Sequence, residues 1–258
     1  FLIGITSPIA LVIFIVSMAI THTFIDFIPS ILLGAPNEDT ALSILPGHEL
    51  LNQGRGYEAI KLAAIGSLSA VLLIPLISVI FVLYLPTIEP LIKSIIAYIL
   101  ITSVIFLILG EKNKTTALVV FFLSGFLGMA ALNSGVKEPF LPLLSGLFGA
   151  SSLIISIKNK VKIPKQNLSE TKINNKELVK PVFASLISAP LTSFLPGLGS
   201  GQAAIIGSSF VKLTKKEFII LLGATNTLVT GLSFIVLYVI GRERTGVAVF
   251  VNELLPKI

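Results

Sequence analysis

Long apolar runs dominate this sequence and restrict its fold more than any other feature. A helix that crosses the hydrocarbon core of a bilayer needs about 20 mostly apolar residues. Only 12% of the residues are charged and the mean hydropathy is +0.97, whereas soluble domains carry about 25% charged residues. The sequence therefore predicts an all-α, polytopic membrane protein with six to seven spanning helices. The candidate spans are residues 1–20, 62–84, 90–110, 115–136, 139–157 and 217–240.

Two further apolar regions, residues 24–51 and 181–211, are interrupted near their middle by proline and glycine. Each half is about 10–14 residues long, which is too short to span a bilayer. Irregular backbone at membrane depth is tolerated only where protein buries it or where it lines a wet cavity. We therefore predict two re-entrant or broken-helix hairpins.

The distribution of lysine predicts the topology. Residues 158–180 contain seven lysines and two glutamates, so the positive-inside rule assigns this loop to the cytoplasm. The predicted units are a first membrane unit (1–157), this basic linker and a second membrane unit (181–258), in the plasma membrane. Counting spans gives inside connections at 53–61, 111–114 and 212–216 and outside connections at 87–89 and 137–138.

Composition argues against several classes of protein. Cysteine is absent, so disulfides, thiolate metal sites and a cysteine nucleophile are excluded. No basic patch is interleaved with aromatic residues, as nucleic-acid binding would need. The sequence contains no catalytic motif, and His48 and Glu49 lack a partner pattern. We therefore expect no enzyme activity, no cofactor, no metal and no nucleic-acid partner.

Two short motifs recur at the same spacing. T-H-T-F at 21–24 resembles T-N-T-L at 225–228, and H-E-L-L at 48–51 resembles N-E-L-L at 252–255; both pairs are offset by 204 residues (225 − 21 and 252 − 48). The likeness is either chance similarity between apolar segments or an internal duplication, the usual build of secondary transporters. The pattern does not distinguish parallel from inverted repeats.

The second interrupted region contains a candidate anion site in L-P-G-L-G-S-G-Q, residues 195–202. A proline ends the incoming helix, and glycines allow close approach of the backbone. The amides that open the next helix would carry the positive end of its dipole. The alternative is that small residues serve helix packing. The candidate substrate-binding residues are Pro196, Gly197, Gly199, Ser200, Gly201 and Gln202.

The first interrupted region is rich in oxygen ligands of the hard kind, which suit Na⁺ or a proton. Ionisable residues at membrane depth are functional by default, although the acids could instead cap the helix that begins at Thr40. The candidate substrate ligands are Ser30, Gly34, Asn37 and Thr40, and the candidate ion-coupling residues are Asp26, Glu38 and Asp39.

The 217–240 run contains a polar triplet. We assign Asn226 to the substrate and Thr225 and Thr227 to ion coupling, with glue between helices as the alternative. Arg242 and Arg244 follow a second polar break. They would either attract a carboxylate or mark the membrane edge, and we favour the second interpretation.

At these residues the chain resembles the large membrane subunit of tripartite tricarboxylate transporters, the TctA type. The stretch P-S-I-L-L-G-A-P-N-E-D-T-A-L (29–42) is similar to the family's S-I-L-L-N-x-P-G-E, and Q-G-R-G-Y-E-A (53–59) to its Q-G-R-A-x-E-A. F-L-P-G-L-G-S-G-Q-A-A (194–204) matches its P-G-x-G hairpin, and G-A-T-N-T-L-V-T-G (223–231) its E-A-A-N-N-A-V-T-G-G. The resemblance covers most of the chain.

The chain departs from this family in three places. Acids are added in N-E-D-T (37–40), G-R-E-R (241–244) replaces a neutral G-I-P-G, and an earlier P-G-x-G hairpin is missing. These departures imply a divergent, archaeal branch, and we expect the chain to be a piece of a longer protein. The resemblance implies an ion-driven carrier that works with a small membrane subunit and an extracytoplasmic binding protein.

The leading hypothesis is a permease subunit of a secondary transporter for an organic anion, coupled to Na⁺ or H⁺. Its partners would be membrane lipid, the anion, the two further subunits and another copy of itself. The alternatives are an intramembrane enzyme that uses His22, Asp26 or Glu38, and a scaffold subunit that transports nothing.

Overall fold

We describe a computed structural model of the chain over residues 7–34, 39–136, 139–158, 163–168, 174–195 and 198–254. Every regular element in these residues is helical, which confirms the all-α prediction. The helices are α1 (Pro8–Ile25), α2 (Phe27–Leu33), α3 (Ile44–Asn52), α4 (Gly56–Gly110), α5 (Lys114–Leu132), α6 (Phe140–Leu144), α7 (Ser151–Lys158), α8 (Asn175–Phe194), α9 (Ser200–Phe210), α10 (Lys215–Ile240) and α11 (Gly246–Leu254). A 3₁₀ turn (Ala41–Ser43) precedes α3, and a π-helical turn (Ser145–Ala150) joins α6 to α7.

Four helical segments of the described residues are long and apolar enough to cross a bilayer: Pro8–Leu33, Gly56–Gly110, Lys114–Leu132 and Lys215–Ile240. The first comprises α1 and α2, which only Asp26 separates. The first arm of the predicted hairpin 24–51 is therefore continuous with the first span.

Helix α4 joins two predicted spans. Its 55 residues are more than twice the ~20 needed to span a bilayer. Gly66 lies against Ile220 of α10, and Gly110, at the other end of α4, borders the same cavity as Ser209 of α9, close to where Gly207 contacts Leu221. The helix therefore bends back, so that both of its ends lie near the start of α10.

The polar joint predicted at 87–89 lies inside this helix. One cause is that Glu89 pairs with Lys93 one turn later, at 2.5 Å, so both charges are compensated along the helix. Pro86 and Pro90 flank this point and each removes a helical hydrogen bond.

Helix α10 forms the centre of the bundle and packs on α4 and α8. Glycine permits the closest crossing. A Cβ on Gly66 would lie 2.1 Å from Ile220 O, and one on Gly223 would lie 2.0 Å from Ala63 O. Ser67 Oγ donates to Gly223 O at 3.1 Å. Small residues at this crossing let the two backbones approach, as in other membrane helix pairs.

Helix α5 contrasts with this core, because none of its residues is buried in the described structure. Phe122 and Phe126 are more than half exposed. Apolar side chains over a whole helix surface are suited to lipid or to another membrane protein.

Ion pairs connect the starts of α4 and α10. Glu58 accepts from Arg55 at 2.7 Å and from Lys216 at 2.8 Å, and Lys215 pairs with Glu49 at 2.5 Å. The linker joins this end, because Gln166 accepts from Gly56 N at 2.7 Å. Three segments predicted for the same side of the membrane therefore lie together.

Helices α1 and α10 run antiparallel. Val12 and Val16, near the start of α1, pack in the cluster that holds Phe234 and Leu237, near the end of α10. Further along α1, Thr23 contacts Thr227 in the middle of α10. The short helix that follows each long one packs on the start of the other: α11 packs on the start of α1, and Glu49 of α3 pairs with Lys215 at the start of α10.

Candidate functional site

Described residues of three interruptions between helices lie together in the bundle. We call the interruptions break 1 (34–43), break 2 (195–199) and break 3 (241–245); residues 35–38 and 196–197 are not among those described. Breaks 1 and 3 each begin with a glycine in the left-handed conformation that ends a helix, Gly34 at φ +63° and Gly241 at φ +64°. Glycine adopts this conformation without the cost that a Cβ would bring. A left-handed glycine therefore ends the helix before break 1 and the helix before break 3.

Asp39 of break 1 binds the first residue of α9. Its Oδ1 accepts from Ser200 N at 3.2 Å and from Ser200 Oγ at 2.7 Å. The first amides of a helix have no partner within it, and the helix dipole favours negative charge at that end. The predicted anion position at the start of α9 thus holds a carboxylate from the chain itself.

Gly199 makes this approach possible through its lack of a side chain. Its φ of −92° is ordinary, but a Cβ there would lie 3.2 Å from both Asp39 Oδ1 and Gln202 Oε1. Gln202 turns back along the helix, and its Oε1 accepts from Gly199 N at 2.9 Å. The backbone amides of Gly199 and Ser200 at the tip of α9 are therefore bound by the side chains of Gln202 and Asp39.

Arg244 of break 3 reaches the same place. It donates through Nη2 to Leu198 O, and its Nη1 is buried with no hydrogen-bond partner among the described residues. Burial lowers the pKa of this guanidinium to about 10, while the charge of Asp39 opposes the shift. The side chain remains protonated at neutral pH. This position near Asp39 supports the carboxylate-attracting interpretation, which the sequence analysis placed second to the membrane-edge interpretation.

Ser30 and Thr40, both fully buried, brace break 1 from within. Ser30 Oγ donates to Asp26 O at 2.8 Å, and its oxygen lies 2.6 Å from Thr40 Oγ1. The hydroxyl proton of Ser30 is thus engaged, so Thr40 donates to it. Ser43 Oγ donates to Thr40 O at 2.7 Å. These hydroxyls are bound to one another and hold the turn that presents Asp39.

Gly34 and Asp26 make contacts other than those predicted. A Cβ on Gly34 would lie 2.9 Å from His48 Cε1, so the glycine leaves room for that ring. The Nε2 of His48 is buried without a partner in the described residues, and burial lowers the pKa of the imidazole. Asp26 pairs with the exposed His22 at 2.9 Å.

The polar triplet of α10 divides into two kinds of residue. Thr225 Oγ1 bonds back to Leu221 O and Leu222 O, and Thr227 bonds to Thr23. Asn226 is 2% exposed, and its Nδ2 has no partner in the described chain. Thr225 thus bonds within its own helix and Thr227 bonds across to α1, whereas Asn226 retains an unused donor; the assignment of the three residues to substrate or ion stays a prediction.

The remaining predicted residues are placed as follows. Gly201 is buried in the first turn of α9. Asn37, Glu38, Pro196 and Gly197 lie outside the described residues. Within the described chain, no group of three or more histidines and acids could hold a metal ion.

A cavity of about 750 Å³ adjoins the tip of α9. Its walls come from the end of α4, the start of α5 and one face of α9. Gln202 borders the cavity beside the tip of α9. Ser209 borders it near the end of α9, and Glu111 and Asn113 border it at the turn between α4 and α5. Small-molecule sites occupy about 300–1,000 Å³. The cavity extends from Leu42 of break 1 and Gln202 of α9 to the turn between α4 and α5.

Apolar helices long enough to span a bilayer, interrupted helices whose polar ends meet in the bundle and an adjoining cavity are features of the class of secondary transporters. The profile of the tripartite tricarboxylate transporter TctA family matches residues 1–256. The chain belongs to this family, which confirms the resemblance drawn from the motifs.

Among individual proteins, the chain is similar to an uncharacterised protein of Methanocaldococcus jannaschii, with 35% identity over 246 residues. That match covers 91% of this chain and 60% of the relative, so the chain spans well under the full length of the protein it resembles. No solved structure matches the chain. The TctA subunit is the large membrane component of a system that also has a small membrane subunit and a binding protein.

Proposed function

We propose that the chain carries the substrate-translocating core of a secondary transporter for organic carboxylates. The observation that supports this most directly is the Asp39 carboxylate bound at the tip of α9, with Arg244 beside it. A site that holds one carboxylate by a helix amide, a hydroxyl and a nearby cation has the chemistry to hold another. Family membership gives the transport role.

The proposed substrate site lies between the three breaks. Ser200 would donate its amide and hydroxyl to a substrate carboxylate, and Arg244 would donate from its unused Nη1. Because Asn226 retains an unused amide donor in the same bundle, it is a further candidate ligand. More than one donor group suits a di- or tricarboxylate better than a monocarboxylate.

The proposed route uses the cavity along α9. Its far end lies at the α4–α5 turn, which the charge pattern assigns to the cytoplasm. Alternating access would rock one unit against the other around the site. Among the predicted ion-coupling residues, Asp39 is the best placed, because its carboxylate touches the tip of α9. The identity of the ion, Na⁺ or H⁺, stays a prediction.

The proposed setting is the plasma membrane, with the basic segment 158–180 in the cytoplasm. A small membrane subunit, an extracytoplasmic binding protein and a second copy of the chain remain proposed partners. The exposed apolar surface of α5 supports contact with lipid or with such a membrane subunit.

The test is uptake of labelled citrate, succinate and amino acids into proteoliposomes of the full-length protein, with its two partner subunits where they exist. Imposed Na⁺ and pH gradients identify the ion. Gly199→Leu, which would collide with Asp39 and Gln202, should abolish gradient-driven uptake. Gly146→Leu is the matched control, since a Cβ there meets nothing within 4 Å and the residue lies outside the α5 surface proposed for a partner.

Three results would contradict the proposal. Uptake of no solute in the assembled system would argue for the scaffold alternative. Normal uptake by Gly199→Leu would argue that the convergence of breaks is not the site. Chemical conversion of a solute without its movement would argue for the enzyme alternative.

A further inference from the structure

We propose that residues 163–168 form a strap that clamps the turn between α3 and α4 and so supports the ion pairs that join this turn to α10. These residues, I-P-K-Q-N-L, belong to the basic segment 158–180, which its charge predicts to be a linker between the two units. The inference goes beyond the proposed function, because it concerns the assembly of the two predicted units and does not depend on what is transported.

The side chain of Gln166 binds the ends of two helices. Its Oε1 accepts from Gly56 N, the first amide of α4, at 2.7 Å. Its Nε2 donates to Leu51 O, in the last turn of α3, at 3.2 Å. The first amides and the last carbonyls of a helix lack partners within it, and the Arg55 side chain, just before α4, forms no capping bond within the described residues. Gln166 thus caps both helices.

The backbone of the strap lies against the same turn. Asn167 N donates to Gly54 O at 2.8 Å. Gly54 has a left-handed φ of +75°, and a Cβ there would lie 3.0 Å from Lys165 O. Within the strap, Gln166 Nε2 also donates to Pro164 O at 2.6 Å. The strap is therefore held by its backbone as well as by one side chain.

Gly56 provides the space that Gln166 occupies. A Cβ on Gly56 would lie 2.6 Å from Leu51 Cδ1 and 2.9 Å from Gln166 Oε1. The methyl group of Leu51 is the end of a flexible side chain and can turn aside. Gln166 Oε1 can move away only by giving up its bond to Gly56 N. The docked glutamine therefore explains a glycine in a helix turn where alanine would favour the helix more.

The clamped turn presents two carboxylates to neighbouring lysines of α10. Glu49 of α3 pairs with Lys215 at 2.5 Å, and Glu58 of α4 pairs with Lys216 at 2.8 Å. The two lysine side chains are 68% and 41% exposed. Exposed ion pairs contribute little, because ordering the side chains offsets the attraction, and helix ends that also moved would add to this cost. The strap fixes both helix ends and so supports their contact with the predicted second unit.

The first test measures amide hydrogen exchange in the purified full-length protein in detergent. Amides that are hydrogen-bonded in a stable structure exchange slowly, so the amides of Gly56 and Asn167 should be protected. Gln166→Ala should abolish the protection of both. The inference would be overturned if these two amides exchanged as fast in the unmodified protein as in Gln166→Ala.

Gly56→Ala tests the same contact from the helix side. The new Cβ should expel the Gln166 side chain, so this variant should also lose the protection of Asn167. Because the contact is then already broken, adding Gln166→Ala should lower the melting temperature little further, and the two effects should be less than additive. Additive effects, with Asn167 still protected in Gly56→Ala, would contradict the assigned role of Gln166.

Thermal unfolding measures what the strap contributes. Gln166→Ala removes the bonds to Gly56 N and Leu51 O and should lower the melting temperature by about 4–8 °C, since one bond corresponds to roughly 2–4 °C in a chain of this size. Asn133→Ala is the matched control. It removes an amide side chain that bonds to Met129 O in the preceding helical turn, and it should change the melting temperature little. Equal effects of the two variants would show that the strap clamps nothing.

A double-mutant cycle connects the strap with the predicted second unit. Lys216→Gln removes the ion pair with Glu58, and its effect on the melting temperature should be smaller in Gln166→Ala than in the unmodified protein. Equal effects in the two backgrounds would show that the strap does not support this pair. Hydrogen exchange and unfolding need no substrate, so a failure of the strap and a failure of the uptake experiment are separate results.

Discussion

The hydroxyls of Thr23 and Thr227 lie 2.8 Å apart, and these two residues hold the same place in segments that recur 204 residues apart. Equivalent residues of two copies touch each other only near a twofold axis that relates the copies. Helices α1 and α10 are antiparallel, so this axis is perpendicular to them. We infer an inverted repeat, the arrangement common in secondary transporters.

An inverted repeat would also account for the position of the proposed site. Thr227 is in the middle of the 26-residue α10, so a twofold axis at the Thr23–Thr227 contact would pass near the middle of this span. Ala203, one turn into α9, packs in the same cluster as Leu228. The tip of α9 would then lie close to the level of the axis, where secondary transporters with inverted repeats bind their substrates.

We expect the Thr23–Thr227 bond to stabilise the pairing of the two copies. Thr23 donates to Ile20 O at 2.7 Å, so Thr227 must donate to Thr23. Thr227→Val should lower stability by about 1 kcal/mol, typical of a bond between membrane helices. Thermal unfolding in detergent of Thr227→Val, Thr23→Val and the double variant gives a double-mutant cycle that measures the energy of the bond. Thr115→Val, on the exposed α5, is the control; strictly additive effects would show that the bond contributes nothing.

A second prediction concerns the crossing of α4 and α10. Gly223→Ala would add a Cβ only 2.0 Å from Ala63 O if the backbone stayed in place. The two helices must therefore separate. Overpacking of this kind costs about 1–3 kcal/mol and at times more. Thermal unfolding should show a large decrease for Gly223→Ala and little change for Gly125→Ala, whose Cβ would meet nothing. Comparable stability of the two variants would contradict the close crossing.

The sequence predicted the parts of this site better than their assembly. Proline, glycine and hydroxyl residues are local signals, so breaks 1 and 2 and the donors of Ser200 could be read directly. Which break meets which is decided by helix packing, which no local pattern encodes. The missed signal was complementary charge: acids are added in break 1 and arginines in break 3, at positions 205 residues apart for Asp39 and Arg244 (244 − 39).

Two further contacts also lie beyond what a local pattern shows. The joint at 87–89 is helical in the structure because the Glu89–Lys93 pair makes the charge of Glu89 compatible with a helix. The hydroxyls of Ser30 and Thr40, which stay candidate ligands, bond to each other, and the identity of a partner ten residues away cannot be read from composition.

Arg244 should be necessary for recognition of the anion. Arg244→Gln removes the charge and the free Nη1 donor, and loss of a hydrogen bond to a charged group weakens binding by about 10- to 100-fold. Arg244→Lys keeps the charge but loses the forked geometry, so its effect should be intermediate. Citrate titration measures both. Unaltered affinity in Arg244→Gln would return this residue to the role of a membrane-edge charge.

The pH dependence of binding follows from the same residue. Burial lowers the pKa of Arg244 in the folded protein to about 10, below the usual range of a guanidinium. Because the charged form is the binding form, affinity should be constant near neutral pH and fall as pH rises through about 10. The linkage to stability has the opposite sign: the unfolded chain keeps its proton up to higher pH, so the contribution of this group to stability rises as pH increases above about 10. Citrate titrations from pH 7 to 10.5 should show the loss, and Arg244→Gln should remove this pH dependence.

Asn226 offers a test that separates a functional polar residue from a structural one. Its side chain is 2% exposed and its Nδ2 has no partner among the described residues. A buried donor without an acceptor destabilises the fold by about 1–3 kcal/mol. Replacing it by leucine, which has the same branched arrangement of heavy atoms without the polar groups, should therefore leave thermal stability equal or higher. Glue residues behave in the opposite way, because their bonds are already made.

If Asn226 serves the substrate, the same Asn226→Leu variant should lose gradient-driven uptake while it unfolds at an equal or higher temperature. This combination is the expected trade between stability and function at a binding residue. Thr225→Val is the comparison, because its hydroxyl bonds only to Leu221 O and Leu222 O of its own helix and its loss should change uptake little. A stable Asn226→Leu protein with normal uptake would remove Asn226 from the substrate site, whereas an unstable one would show that its amide has a structural partner after all.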